Sequence, residues 1–239
     1  MNRVAVLMDG DFFLRMFSRH FKKEDFPDPV SMAKRIHRYC CSHVKMCEKH
    51  QGFSTLYRIY FYDCPPLLKT VSNPITKAQI HLSKTELAKF RIGLHDALKE
   101  TPNVALRLGM LNENNAFWKV RDVKGFVEKL KSNDVDRRVS NVEFSSEDIV
   151  YYAHQKGVDM KIGVDITTLV LKKLVDTIVL VSGDSDFAPA AKLARVEGVR
   201  FILDAMHKKI RPTLAEHIDV LRSPINNINE DCYFSQSNQ

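Results

Sequence analysis

Two short runs constrain the fold more than any other feature of the sequence. They are VAVLM at Val4–Met8 and TIVLV at Thr177–Val181, each apolar at nearly every position. Successive side chains of a strand point to opposite faces, so a half-exposed strand alternates apolar and polar residues. Unbroken apolar character means that both faces are covered, as in a parallel sheet sandwiched between helices. Leu56–Tyr62, Val104–Leu108 and Val199–Leu203 are further β-prone runs. Helical patterns fall between them. Phe13, Phe17 and Phe21 share one face, and Leu87, Phe90, Leu94 and Leu98 follow the capping-box pair Ser83 and Glu86. Ile166, Leu169, Val170 and Leu174 make another stripe, and Ala190, Leu193 and Ala194 lead to a stop at Gly198. Strands alternating with helices predict an α/β fold, a mostly parallel sheet with helices on both faces.

The 239 residues suffice for one large domain or two small ones, and 44% apolar with 27% charged residues excludes wholesale disorder. We read a single domain over residues 1–222. It carries a polar insertion or lid at about 111–148, with one helix near Asp122–Lys131. A mobile tail at 223–239 follows. Residues 64–83, with three prolines, read as a loop. No apolar run approaches the ~18–20 residues of a membrane span, and Val4–Met8 is too short for a secretory segment. Cys40, Cys41, Cys47, Cys64 and Cys232 form an odd, clustered set, a poor disulfide framework, so a reduced, cytoplasmic protein is expected. The net charge of +7 allows a polyanionic partner.

Both continuous runs end in acids. Val4–Met8 leads into Asp9-Gly10-Asp11, and Thr177–Val181 leads into Ser182-Gly183-Asp184-Ser185-Asp186. In an open parallel sheet, ligand sites form outside the carboxyl ends of strands, so these two loops can meet. Asp11 and Asp186 are also placed to cap the following helices, whereas Asp9 and Asp184 cap nothing obvious. Asp165 lies between Val164 and Ile166 on an apolar helix, where an isolated carboxylate is costly without a cation or donors. Carboxylates gathered at one site repel, and Mg²⁺ or Mn²⁺ would relieve that repulsion. Oxygen ligands suit these hard ions and not zinc.

The stretch from Gln155 to Asp204 resembles the NYN-domain proteins of the LabA-like group, within the PIN-like nuclease superfamily. The matching elements are KGVD (Lys156 to Asp159), Val164-Asp165, SGDSDF (Ser182 to Phe187), a proline two residues on, and Gly198. The strand ending at Asp9-Gly10 fits the opening motif. The resemblance implies a PIN-like fold whose acids hold Mg²⁺ or Mn²⁺ and hydrolyse RNA. Asp9, Asp165, Asp184 and Asp186 match the family's acids, Asp159 a position usually acidic, and Ser182 a small hydroxyl residue that orients the loop. Asp11 is a supporting acid. The family often has Asn three positions after the first acid; here that residue is Phe12. The expected partner is RNA, with DNA also open; a homo-oligomer is a further option, and no membrane is expected.

Other features carry less. Cys40, His43, Cys47 and His50 have metal-like spacing, but on one helix residues 40 and 50 lie about 15 Å apart, too far to surround one ion. An amphipathic helix with partly buried cysteines explains them. Arg15 and Lys161 are the cations in sequence nearest the acids, and are candidates for RNA contact. Two alternatives stand beside the nuclease. One is an inactive RNA-binding or scaffold member of the family, kept open by Phe12. The other is a haloacid-dehalogenase-like phosphatase, suggested by Asp9-x-Asp11 but lacking the Thr or Val expected where Phe13 stands.

Overall fold

The computed structural model describes residues 1–20, 27–132 and 145–224. All five expected strands form: β1 (Asn2–Asp9), β2 (Ser54–Asp63), β3 (Val104–Leu108), β4 (Thr177–Val181) and β5 (Arg200–Asp204). A two-residue strand, β6 (Val220–Leu221), completes a six-stranded sheet in the order β6-β5-β4-β1-β2-β3, with every pairing parallel. The two unbroken apolar runs are neighbours at its centre. Val4 pairs with Thr177 and Met8 with Val181, and every side chain of both runs is buried.

The pleat sends alternate residues of β1 into two cores. Val4, Val6 and Met8 pack with α1 (Gly10–His20), α2 (Pro29–Gln51) and α3 (Glu86–Lys99). Beyond α4 (Val123–Ser132), which lies in the insertion, come α5 (Val158–Leu171), α6 (Ala188–Val196) and α7 (Pro212–Ala215). These three pack on the opposite face with Ala5 and Leu7. The buried stripes behave as expected at Phe13, Phe17, Leu94, Leu98, Ile166, Leu169 and Val170, whereas Phe21 lies outside the described residues.

Three local expectations need correction. Residues 64–83 are not wholly loop: Thr70–Ser72 pairs antiparallel with Gln79–His81, and a 3-10 turn spans Leu82–Lys84. That turn absorbs Ser83, so Thr85 caps α3 instead, its hydroxyl accepting from the Ala88 N–H at 3.3 Å. Leu87, expected on the buried stripe, is 68% exposed.

The outer parts of the insertion form an antiparallel ribbon. Met110–Leu111 pairs with Gln155–Lys156, and Phe117–Val120 pairs with Ile149–Tyr152. The Asn112 N–H donates to the His154 carbonyl at 2.9 Å between these pairings. Helix α4 coincides with the expected segment, while residues 133–144 and most of the tail, 225–239, lie outside the described residues.

One topological feature positions the site. From β1 the chain crosses to β2 on one side of the sheet, and from β4 to β5 on the other. The strand order therefore reverses between β1 and β4, and a crevice opens at their carboxyl ends.

Candidate active site

Asp9 is the last residue of β1, and Asp184 lies three residues beyond β4, so both stand at this reversal point. The chain turns tightly there. A Cβ on Gly10 would meet the Phe61 ring at 2.6 Å and the Tyr62 carbonyl oxygen at 2.7 Å, so only glycine fits. Ser182 is fully buried and ties its loop down at both ends. Its N–H donates to the Asp204 carbonyl at 3.1 Å, and its Oγ accepts from the Asp184 N–H at 3.2 Å.

The expected caps are displaced by two residues. Asp9 Oδ1 accepts from the Phe12 N–H at 3.0 Å, and Asp184 Oδ1 accepts from the Asp186 N–H at 3.0 Å. Helix α1 starts at Gly10 and the next turn at Ser185, so Asp11 and Asp186 sit inside their turns and cannot cap them.

Five acids from three segments feel one another. The Asp9 carboxyl is pushed up to about 6, mainly by burial, with repulsion from Asp11 and Asp159 added; the Phe12 N–H and Arg15 oppose this. Asp159, in the first turn of α5, is also raised, by burial and then by Asp184 and Asp186. Among the described residues no salt bridge reaches Asp9, Asp159, Asp184 or Asp186.

Asp165 stands apart from this group. It lies six residues beyond Asp159 on α5, about 9 Å along the helix axis. Its carboxylate accepts from the Tyr62 hydroxyl at 2.8 Å and from Arg107 Nε at 3.3 Å. The compensation that the sequence suggested a metal would provide comes here from a phenol and a guanidinium. Asp11 is likewise drawn elsewhere, bound by Arg91 Nη2 at 2.9 Å and Arg15 Nε at 3.1 Å.

A basic wall faces the acids. The cavity of about 350 Å³ bounded by Asp9, Ser182 and Asp184 is also lined by Arg15, Lys208, Lys209 and Arg211. Arg211 Nη1 lies 3.4 Å from Ser185 Oγ, and Lys208 Nζ lies 3.4 Å from the Gly183 carbonyl. Lys161 is exposed on α5 and does not line this cavity. Phe12 is buried beneath the wall, with Lys208 Nζ 5.7 Å from its ring centroid; a Cβ on Gly183 would come within 2.7 Å of the ring.

The NYN domain model matches residues 3–219, from the first strand to the residue before β6. The chain belongs to the NYN-domain family. NYN domains are part of the PIN-like nuclease superfamily and are usually nucleases. No match was found among the curated proteins. Solved structures give only remote likenesses. A protein of unknown function from Vibrio parahaemolyticus is 12% identical, with 92% of this chain and 91% of that chain covered and a TM-score of 0.41. A Sir2 enzyme, Sir2Af2 bound to a myristoylated histone peptide, is 12% identical over 92% and 84% of the chains, with a TM-score of 0.30. At these scores neither carries an argument.

Two polar clusters of this NYN domain escaped the sequence reading. Asp63, the buried last residue of β2, is held by a short contact to Arg91 and by His95 Nε2 at 2.8 Å, so Arg91 bridges Asp63 and Asp11. These partners hold the Asp63 carboxyl below its ordinary range despite burial. Asp204, the buried last residue of β5, takes a short hydrogen bond from the Tyr39 hydroxyl and lies 2.9 Å from His43 Nε2. It also accepts from the Met206 N–H at 2.8 Å. Strand-final position was the available signal, since both acids end strands as Asp9 does. The metal-like spacing on α2 resolves into this packing: His43 serves Asp204, and Cys40 and Cys47 are fully buried.

The donor set suits a hard divalent cation: carboxylates only, mutually repelling, with no salt bridge and Asp9 half-buried among them. Among the described residues, no three His, Cys, Asp or Glu side chains converge closely enough to ligate an ion as they stand. Asp9 and Asp184 each accept one backbone N–H.

No helix among the described residues is long and apolar enough to cross a membrane.

Proposed function

We propose that this NYN domain is a metal-dependent ribonuclease of the LabA-like kind, with Asp9, Asp184 and Asp186 as its acidic centre and Asp159 in support. One observation carries the reading. Acids from separate segments crowd the carboxyl edge of β1 and β4 with no salt bridge, while four cations line the cavity that Asp9 and Asp184 bound; Asp159 and Asp186 line the neighbouring one. A bound Mg²⁺ or Mn²⁺, held by Asp9 and Asp184 with Asp159 or Asp186, would activate water and stabilise the leaving oxygen of a phosphodiester. Ser182 fixes the direction of Asp184 through its N–H. Arg15, Lys208, Lys209 and Arg211 grip backbone phosphates and hold the scissile group against the acids. Asp186, exposed on the turn after Asp184, orients the attacking water.

Cleavage of a labelled single-stranded RNA in Mn²⁺ tests this. Asp184→Asn should lower the rate by about a hundredfold or more while circular dichroism stays unchanged. A well-folded variant that cuts at the wild-type rate overturns the assignment. A second reading, RNA binding without cleavage, draws support from Phe12, whose ring occupies the position where the family often carries an amide. Steeply salt-dependent binding by a wild-type protein that never cuts, with either metal, would favour it.

A further inference from the structure

A second cavity lies on the far side of Asp11 from the acidic cleft. Its volume is about 230 Å³, and it is enclosed by the segment after β2, the first turns of α3 and the returning strand of the ribbon. Flat or apolar groups form its walls: Pro65, Pro66, Leu87, Tyr151 and Tyr152. Polar groups sit at its inner end, where Asp11 and Arg91 meet at 2.9 Å. Arg91 has five N–H donors and directs one each to Asp63 and Asp11, so further donors are available to a ligand.

The ribbon that closes this cavity has an unusual composition. Phe117 and Trp118 stand on one short strand and Tyr151 and Tyr152 on the other, with His154 just beyond it; they form two groups on opposite faces, Trp118–Tyr151 with ring centroids 5.3 Å apart and Phe117, Tyr152 and His154 with centroids 5.0 to 6.1 Å apart. Cations lie against them. Lys69 Nζ is 5.2 Å from the Tyr151 ring centroid, and Lys119 Nζ is 3.3 Å from that of Tyr152. A two-stranded ribbon is marginal in water by itself, and Phe117 stays 45% exposed. Leu87, across the cavity, is 68% exposed although it belongs to the apolar stripe of α3. Aromatic faces interleaved with cations are the chemistry that receives unpaired bases and their phosphates.

We infer that this cavity is a nucleobase subsite, which takes an unstacked base from a single strand whose backbone continues into the acidic cleft. The inference rests on the ribonuclease reading for the direction of the strand, and its location follows from Asp11. That residue lines this cavity, and its second oxygen pairs with Arg15, which lines the other. A base in the slot stacks on the tyrosine side and meets the Arg91 donors at its edge. A paired base cannot enter a slot closed on three sides, so the site selects single strands.

The test separates this subsite from catalysis by measuring binding alone. The full-length protein carrying Asp184→Asn is titrated, by fluorescence anisotropy, into a labelled eight-nucleotide RNA. Matched oligomers carry one abasic position walked along the strand, and the same sequence is also tested as DNA and as duplex RNA. We expect one abasic position to weaken binding about tenfold and the duplex to bind more weakly than the single strand. Adding Leu87→Asp, at an exposed position, should erase the abasic penalty while the salt dependence of binding stays the same. Equal penalties for RNA and DNA assign the slot to the base, and a penalty confined to RNA assigns it to a ribonucleotide; either supports the subsite. Indifference to every abasic position, equal affinity for the duplex, or a penalty that survives Leu87→Asp overturns it. Failure of the wild-type protein to cut RNA overturns only the catalytic reading.

Discussion

Four strands of this sheet deliver an aspartate to the same edge, and the four fare differently. Asp63 and Asp204 are fully buried and satisfied by an arginine, a tyrosine and two histidines reaching in from α2 and α3. Asp9 and Asp184 stand between them in the sheet with one backbone N–H each and no salt bridge. The helices supply the difference. Polar side chains from α2 and α3 reach the flanking acids, and the central crevice, where the crossovers diverge, receives further acids from α5 and the loop after β4. A strand-final aspartate is therefore no mark of a site; a strand-final aspartate denied partners is.

Four substitutions would break or sharpen this contrast. The largest effect belongs to the satisfied pair. Asp63→Asn takes the carboxylate from His95 and from one arm of Arg91, which keeps only Asp11, and should cost about 3 kcal/mol in urea unfolding, while Asp204→Asn, which weakens the acceptor shared by Tyr39 and His43, should cost about 1–3 kcal/mol. Asp9→Asn should do the reverse in metal-free buffer and raise stability by about 1–2 kcal/mol, because the amide still accepts from the Phe12 N–H while the cost of burying a charge, and with it the repulsion from Asp11 and Asp159, disappears. If Asp9→Asn costs as much as Asp63→Asn, the contrast fails.

The pH dependence separates the two acids by sign. Asp63 is held below its ordinary range, so its contribution is complete above about pH 4 and is lost as pH falls through its lowered folded value. Asp9 is raised to about 6, so the folded state holds that proton more tightly than the unfolded state does. Its effect is that stability falls as pH rises from about 4 to about 6. Urea midpoints in chelator at half-unit steps should show Asp9→Asn flattening this second slope while leaving the acid-side loss intact. The smallest effect is expected at Asp165. Asp165→Asn should change RNA cleavage less than about threefold and stability by about 1 kcal/mol or less, since its partners are a phenol and a half-exposed guanidinium. A collapse of activity in that variant would return Asp165 to the centre.

The architecture was legible in the sequence because burial on both faces writes itself as uninterrupted apolar residues. Val4–Met8 and Thr177–Val181 were recognisable as interior strands, and they are neighbours at the centre of the sheet. Very short strands leave no such record, which is why the hairpin between Thr70 and His81 read as loop. The acids were legible as candidates but not as a constellation. Asp165 seemed to need a cation because nothing nearby in the chain compensates it; Tyr62 and Arg107 lie 103 and 58 residues away. The partners of Asp204 lie 165 and 161 residues away for the same reason. Local spacing shows where a carboxylate stands, and long-range packing decides whether it is spoken for.

The ribbon has a consequence for how such a molecule changes over time. Met110 lies opposite Lys156, so the chain leaves the α/β body and rejoins it at adjacent points before Gly157, with a φ of 81°, starts α5. Whatever the stem carries is a cassette. Because its two ends are adjacent, a change of length within the stem leaves the spacing between β3 and α5 unaltered.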